Sequence, residues 1–374
     1  ASFPGFAHPL DIFTEVEGDL MALNRQVGAE AGLAEEMPYL AALVCASPAD
    51  AALHDAFGLA NGISSYDGYG PDFVGHDLSA YLGPSGRGRY LGEFVRSKMP
   101  PAVPVFHLVG GLDTLRRTEV ADGAPADGWP NSLDAWIERD GLFCLKVKLR
   151  GTDLAWDLER ILDVYQVARE AQARRSESRL YLSADTNEQC ESPAYMVELL
   201  HRLQEAEPAA YNALLYVEQP TERDLRDHRF DMRELSALKP VILDESLTGF
   251  PEMDLALALG WSGVALKTCK CHSLALLVAA RAQIAGIPYT VQDLTNPGLA
   301  LLHSVGLAAH LQPLMGVEAN SRQFYPATSA PEAAVHPAIV EVRDGVAPTA
   351  SLRGPGLGYQ VQRIPRPIFR GGAS

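Results

Sequence analysis

Short apolar runs, each closed by an ionisable residue, recur along the middle of the chain. Lys146 and Lys148 close GLFCLKVKL, Asp185 closes RLYLSAD, Glu218 closes ALLYVE and Asp244 closes KPVILD. Lys267 sits in GVALK, Asp293 closes IPYTVQD and Glu318 closes PLMGVE. From Lys148 onward the intervals are 37, 33, 26, 23, 26 and 25 residues, each long enough for a loop and one helix. The segments between them have helical periodicity. GTDLAWDLERILDVYQVAREAQ is one; AYMVELLHRLQEAE follows Ser192-Pro193; LALLVAARAQIA has Ser273 as its expected cap and Gly286 as its stop; GLALLHSVGLAAHL begins at Gly298. Short strands rich in Val, Leu and Ile, each followed by a helix, predict a parallel α/β architecture. The repeat predicts a (β/α) barrel whose strand C-termini open on one mouth.

The flanks differ. Residues 1 to about 100 read as mostly helical. Ser47-Pro48-Ala49-Asp50 has the form of a helix start, with a hydroxyl cap, an early proline and an acid three residues on. The helix then stops at Gly62. Residues 62–76 are rich in Gly and Tyr and are the candidate lid: Gly62, Gly68, Gly70 and Gly75 supply freedom, and Tyr66, Tyr69 and Phe73 supply apolar contact. The first buried strand is expected at about 103–109, and 121–132 reads as loop. Beyond about 330, VHPAIVEVRDGVAPTASLRGPGLGYQVQ reads as short β segments and turns.

Composition narrows the class. At 374 residues the chain has room for a barrel of ~250 residues plus a smaller satellite domain. A net charge of -16 argues against nucleic acid as the main partner. Five cysteines, thinly spread, argue against a disulfide framework and for a reducing, cytoplasmic setting. Cys269-Lys270-Cys271-His272 lacks a second Cys pair at zinc spacing and reads as a strand end running into a helix. No apolar run is long enough to span a membrane. The start, ASFPGFAHPL, is neither basic nor followed by a signal-like core, and without a Met it reads as processed or trimmed. No glycine-rich phosphate-binding pattern follows a strand.

The strand ends carry the chemistry. Asp185, Glu218 and Asp244 form a hard oxygen-donor set of the kind Mg²⁺ takes. Without a cation, three such charges in one pocket would raise one another's pKa. Residues two apart on a strand share a face, so Lys146 and Lys148 both point to the mouth, and Lys267 comes from across the ring. Lysines inside apolar runs are expensive unless used. A nearby cation and a second ammonium would lower a lysine's pKa into the range of a base. His107, on the first strand, could reach the mouth but reads as a buried structural residue; His303 and His310, on a predicted helix, read as packing or surface residues.

The set KVK, SADTN, YVEQP, LDES and ALKTCK resembles the enolase superfamily, and its two-lysine arrangement is most similar to the muconate lactonizing enzyme subgroup. AALHDAFGLANG is similar to the last helix of that family's capping domain, and PGLG near 354–357 to its C-terminal return. The resemblance implies a modified TIM (β/α) barrel with a smaller, partly helical α+β capping domain. It implies a capping part at 1–100, the barrel with the active site at 101–330, and a C-terminal segment, 331–374, returning to the cap. By resemblance Asp185, Glu218 and Asp244 are Mg²⁺ ligands and Lys148 and Lys267 the acid/base pair. Lys146 tunes Lys148, and Asn187 is a supporting polar group. Asp293, Glu318 and Arg322 are candidate substrate-binding or supporting residues, Arg322 for a second carboxylate. The implied reaction is Mg²⁺-dependent removal of a proton α to a carboxylate, giving racemisation, epimerisation, cycloisomerisation or dehydration of a small carboxylic acid. A homo-oligomer is expected.

Two features depart from the family. Its usual N-terminal β meander is not seen before the helical part. Asp293 stands where the mandelate racemase branch has His, while Glu318 resembles that branch's last-strand Glu, and the dipeptide-epimerase acid pair is missing. Two rival readings stay open: a Schiff-base aldolase using Lys267, and a non-catalytic barrel scaffold.

Overall fold

A computed structural model describes residues 6–366. Eight strands follow one another around a closed parallel sheet: β1 (Ala102–Val109), β2 (Cys144–Lys148), β3 (Tyr181–Asp185), β4 (Leu214–Glu218), β5 (Val241–Leu243), β6 (Gly263–Lys267), β7 (Tyr289–Gln292) and β8 (Val317–Glu318). β8 returns to β1, which also pairs with β2, so the ring has no free edge between them. A ninth strand, β9 (Val346–Pro348), runs antiparallel along the start of β1, with Ala102 opposite Pro348. The architecture is a modified (β/α) barrel.

Helices α1 (Pro9–Glu30) and α2 (Tyr39–Asn61) and the single turn α3 (Ser79–Leu82) precede the barrel. Between strands lie α4 (Leu133–Asp140), α5 (Leu154–Ala173), α6 (Pro193–Ala206), α7 (Pro208–Ala213), α8 (Arg233–Leu238), α9 (Phe250–Ala258), α10 (His272–Ala285) and α11 (Leu299–His310). Three single turns, α12 (Ser321–Phe324), α13 (Ala330–Ala333) and α14 (Pro337–Val340), follow β8. The strands are apolar almost throughout because both their faces are covered. Leu145, Val147, Leu182, Val217, Leu243 and Val264 are all buried, each contributing about 1.5–3 kcal/mol over an exposed side chain. Close packing decides one glycine: a Cβ on Gly316 would stand 1.7 Å from the Pro104 carbonyl oxygen, so only glycine fits where β8 begins beside β1.

Several local expectations are corrected. Ser47-Pro48 does not start a helix; α2 runs through it. Pro48 has no N–H for the Val44 carbonyl, and the Ser47 hydroxyl donates to that carbonyl instead, at 2.9 Å. Ser273 does not cap α10 with its own side chain. It lies inside the first turn, and its N–H donates to Asp50 of α2 at 2.8 Å. Among the described residues past 330 only Val346–Pro348 joins the sheet, because Pro337, suited to a first helical turn, opens α14 in the segment expected to be β. Of the candidate lid's aromatics, Tyr66 and Tyr69 are buried against the barrel helices, while Phe73 is exposed.

The C-terminal segment meets α2 and the loop after it. Ser65 N–H donates to Gly356 O at 2.8 Å, and Leu357 N–H donates to Asp55 at 2.7 Å. A Cβ on Gly58 would lie 2.7 Å from Gly356 Cα, so this crossing also needs glycine. Among the described residues no helix is long and apolar enough to cross a membrane. Residues 1–5 of the N-terminal reading and 367–374 of the C-terminal segment lie outside the described residues.

Candidate active site

Strand register assembles the site. Lys148 stands opposite Asp185, Asp185 opposite Glu218, and Lys267 opposite Gln292. Asp244 directly follows β5. β2 and β6 are four strands apart in the ring of eight, so Lys148 and Lys267 approach from opposite sides.

The side chains form two hydrogen-bonded clusters, one around Lys146 and Lys148 and one around Lys267, close enough to feel each other's charge. Lys146 donates to Glu218 Oε1 at 2.7 Å and to Glu318 Oε1 at 2.9 Å, and lies 3.1 Å from Asp185 Oδ2. Lys148 donates to Asp185 and to Asn187 Oδ1, the latter at 2.7 Å. Lys267 donates to Asp244 Oδ2 at 2.5 Å. Asn320 donates to Asp293 through its backbone N–H at 2.7 Å, and to Glu318 through its side chain at 3.2 Å. The structure therefore brings together Lys146, Lys148, Lys267, Asp185, Glu218, Asp244, Asn187, Glu318 and, through Asn320, Asp293. It does not bring Arg322 in. That guanidinium is buried and donates to Asp140 at the end of α4.

Four participants were missed from sequence. Glu245 directly follows Asp244 and accepts from Asn187 Nδ2 at 3.2 Å. Lys270 is buried, and its Nζ donates to Asp244 O at 2.5 Å and Oδ1 at 3.1 Å. Gln292 donates to Glu218 Oε2 at 2.6 Å. Asn320 links the last two strand ends. Gln292 and Asn320 adjoin acids singled out in the sequence and could have been read with them. Lys270 lies in a 3-10 turn, where strand alternation gives no direction.

Six carboxylates (Asp185, Glu218, Asp244, Glu245, Asp293 and Glu318) surround four ammonium groups (Lys146, Lys148, Lys267 and Lys270). With every group ionised the count would leave two surplus negative charges, and burial instead raises several of the acids. Burial pushes Glu218 well above the usual carboxylate range; Lys146 opposes this, and Asp185, Asp244 and Glu318 add to it. Burial and then Glu318 push Asp293 up to about 6. Asp185 goes the other way: burial opposes its charge, but Lys146 and Lys148 outweigh burial and hold it down at about 2. Lys146 and Lys267 are both held above the ordinary lysine range. Burial works against their charge, but Glu218 and Asp244, respectively, outweigh it. The lowering expected of a lysine beside a metal ion concerns the loaded site. As folded, each ammonium faces carboxylates rather than a competing cation.

Among the described residues no group of three or more His, Cys, Asp or Glu is arranged to hold a metal ion. Every oxygen of the three candidate ligands already accepts a hydrogen bond: Asp185 from Asn187 N–H and Lys148, Glu218 from Lys146 and Gln292, Asp244 from Lys267 and Lys270. The donor chemistry still suits a hard divalent cation, since three strand-end carboxylates offer it hard oxygen donors. Cys269 and Cys271 are free thiols rather than a knuckle. Backbone strain gathers at the same end of the barrel. Asn187, Gln219, Cys271 and Thr295, just after β3, β4, β6 and β7, have φ of 46°, 30°, 77° and 57°.

Residues 130–364 match the family model described as enolase C-terminal domain-like. The chain belongs to that family, within the enolase superfamily. No curated protein matches the chain. Similar solved structures include an isomerase from Streptomyces coelicolor, with TM-score 0.59, 18% identity, and coverage of 94% of this chain and 77% of that one. A dipeptide epimerase from Enterococcus faecalis gives 0.54 at 18% identity, covering 82% and 72%. Muconate lactonizing enzyme from Pseudomonas putida gives 0.53 at 19%, covering 86% and 76%. At these identities the likeness is one of fold.

Proposed function

We propose that this protein is an enzyme that removes a proton α to the carboxylate of a small carboxylic acid, giving an isomerisation or an elimination. The observation that supports this best is the pair Lys148 and Lys267, carried by opposite strands and each salt-bridged to a strand-end aspartate. A planar α-carbon between them can lose a proton to one lysine and regain it from the other. Lys146, held by three carboxylates, keeps a fixed positive charge beside the place where the substrate carboxylate gains negative charge. Asn187 orients Lys148, and Lys270 orients Asp244. Burial excludes water and strengthens these interactions.

Mg²⁺ is the proposed cofactor, held by Asp185, Glu218 and Asp244, and when bound it would supply charge to neutralise the developing enolate. For a lysine to act as base it must shed its proton, which needs the carboxylate partners drawn away from it. The two-lysine muconate lactonizing enzyme subgroup is the proposed nearest type, and a cytoplasmic homo-oligomer the proposed setting.

The test is α-proton exchange in D₂O over a panel of acid sugars and N-acyl amino acids, with Mg²⁺ and after chelation. Metal-dependent exchange supports the reading. Borohydride trapping of a carbonyl substrate on Lys267, with exchange indifferent to metal, would replace it with a Schiff-base aldolase.

A further inference from the structure

A second buried polar system joins α2 to the barrel away from the lysines. Ser273 Oγ donates to Asp50 Oδ1 at 2.6 Å, and His54 Nε2 lies 2.8 Å from Ser273 Oγ. Tyr69 OH lies 2.8 Å from His54 Nδ1 and 3.2 Å from His272 Nε2. His303 Nε2 lies 2.8 Å from His272 Nδ1. Proton counting fixes every direction. An ionised Asp50 only accepts, so it takes the one Ser273 hydroxyl proton, and His54 Nε2 must donate to Ser273. Nδ1 of neutral His54 then accepts from Tyr69, whose oxygen accepts from His272 Nε2, and His272 Nδ1 accepts from His303 Nε2. The chain ends at His303 Nδ1, which carries a lone pair and has no hydrogen-bond partner among the described residues.

His303 lines a cavity of about 450 Å³ between α2, the turn after Lys267 and the start of α11. Its other walls include Val44, Ala52, Leu299, Ala300 and Val361. Pockets of this size with apolar walls and a few polar groups are typical small-molecule sites. We propose that this cavity is a ligand site whose walls include none of the mouth's lysines or carboxylates. It would take a small apolar molecule bearing one hydroxyl or N–H donor, the donor bonding to His303 Nδ1. The relay keeps that nitrogen an acceptor, because reversing it would require a proton on Asp50. The inference does not depend on the proposed reaction.

Phenol and toluene, which differ in one group of similar size, are the probes, titrated into the whole protein and followed by NMR. Phenol should bind at least about fivefold more tightly. His303→Phe should remove that preference, and Ala300→Trp, which fills the cavity without touching the relay, should abolish binding of both probes. Nitrogen-15 shifts should report His54, His272 and His303 as Nε2–H tautomers. Equal affinity for the two probes, or phenol binding undiminished in Ala300→Trp, would overturn the site. A Nδ1–H tautomer at His303 would overturn the ligand class.

Discussion

The molecule buries two polar networks, and they are built on opposite principles. At the barrel mouth four ammonium groups and six carboxylates neutralise one another across the ring. At the seam between α2 and the barrel, a serine, a tyrosine and three histidines connect to a single carboxylate as neutral donors and acceptors. The mouth is held by charge, which is strong at low dielectric and ruinous if one partner is lost. The seam is held by direction, since each ring and hydroxyl has one donor and one acceptor role and all are used except the lone pair at His303 Nδ1. A charged cluster can be rearranged by a cation or a substrate. A directional relay can only be kept or reversed. That contrast favours chemistry at the mouth and docking at the seam.

The contrast can be sharpened by substitution. Lys148→Ala or Lys267→Ala should each lower turnover by about a hundred- to ten-thousandfold, and one of them should retain α-proton exchange on the other face. Asp50→Ala at the seam should change the same rates by less than about tenfold, because Asp50 touches no reacting group. Equal losses from both regions would erase the distinction.

Lys146→Met strips the cation shared by Asp185, Glu218 and Glu318. Leaving buried charge uncompensated should destabilise the fold by about 3–5 kcal/mol, read as a shift in the urea midpoint.

Acid should separate the regions by sign. Burial holds His54 and His272 well below the ordinary histidine range and His303 at about 3 against 6.5. The unfolded chain takes up those protons and the folded seam does not. The three rings therefore cost the seam stability as pH falls from 6.5 towards 3, by about 1.4 kcal/mol per pH unit for each, while Asp50, raised by burial, works the other way. Asp293 at the mouth is raised to about 6 from 3.8, so its folded form takes a proton first, and the mouth gains stability as pH falls through that window. Asp185, lowered to about 2, contributes fully above 3.8 and is lost only below that. Hydrogen exchange at about pH 4.5 should show α2 and the first turn of α10 opening before β3 and β4. The reverse order would contradict the comparison.

The smallest effect is the cap itself. Asp50→Ala removes the acceptor for the first turn of α10 and should cost about 1–2 kcal/mol by thermal unfolding.

The mouth was legible in the sequence because its signals are local. Period-two alternation aims Lys146 and Lys148 together, and the interval of one helix and one loop returns each acid to the same end of the barrel. The seam was not legible, because its partners are remote. Asp50 and Ser273 are 223 residues apart, and both were read as parts of their own helix starts. Pro48 misled for a related reason: a single hydroxyl bond at Ser47 lets the helix pass through it. Tyr66 and Tyr69 were expected over a substrate, since glycine-rich sequence says where a chain can bend but not what its aromatics pack against. Arg322 was expected at the mouth because it follows β8, but α12 carries it toward Asp140.

The central claim is that the mouth accepts one divalent cation at Asp185, Glu218 and Asp244. Calorimetric titration of Mg²⁺ into the wild-type protein and into Glu218→Gln tests it directly. The account predicts one saturable site in the wild type and its loss in the variant, with the fold intact by circular dichroism. No saturable binding in the wild type, or unchanged binding in Glu218→Gln, would contradict it.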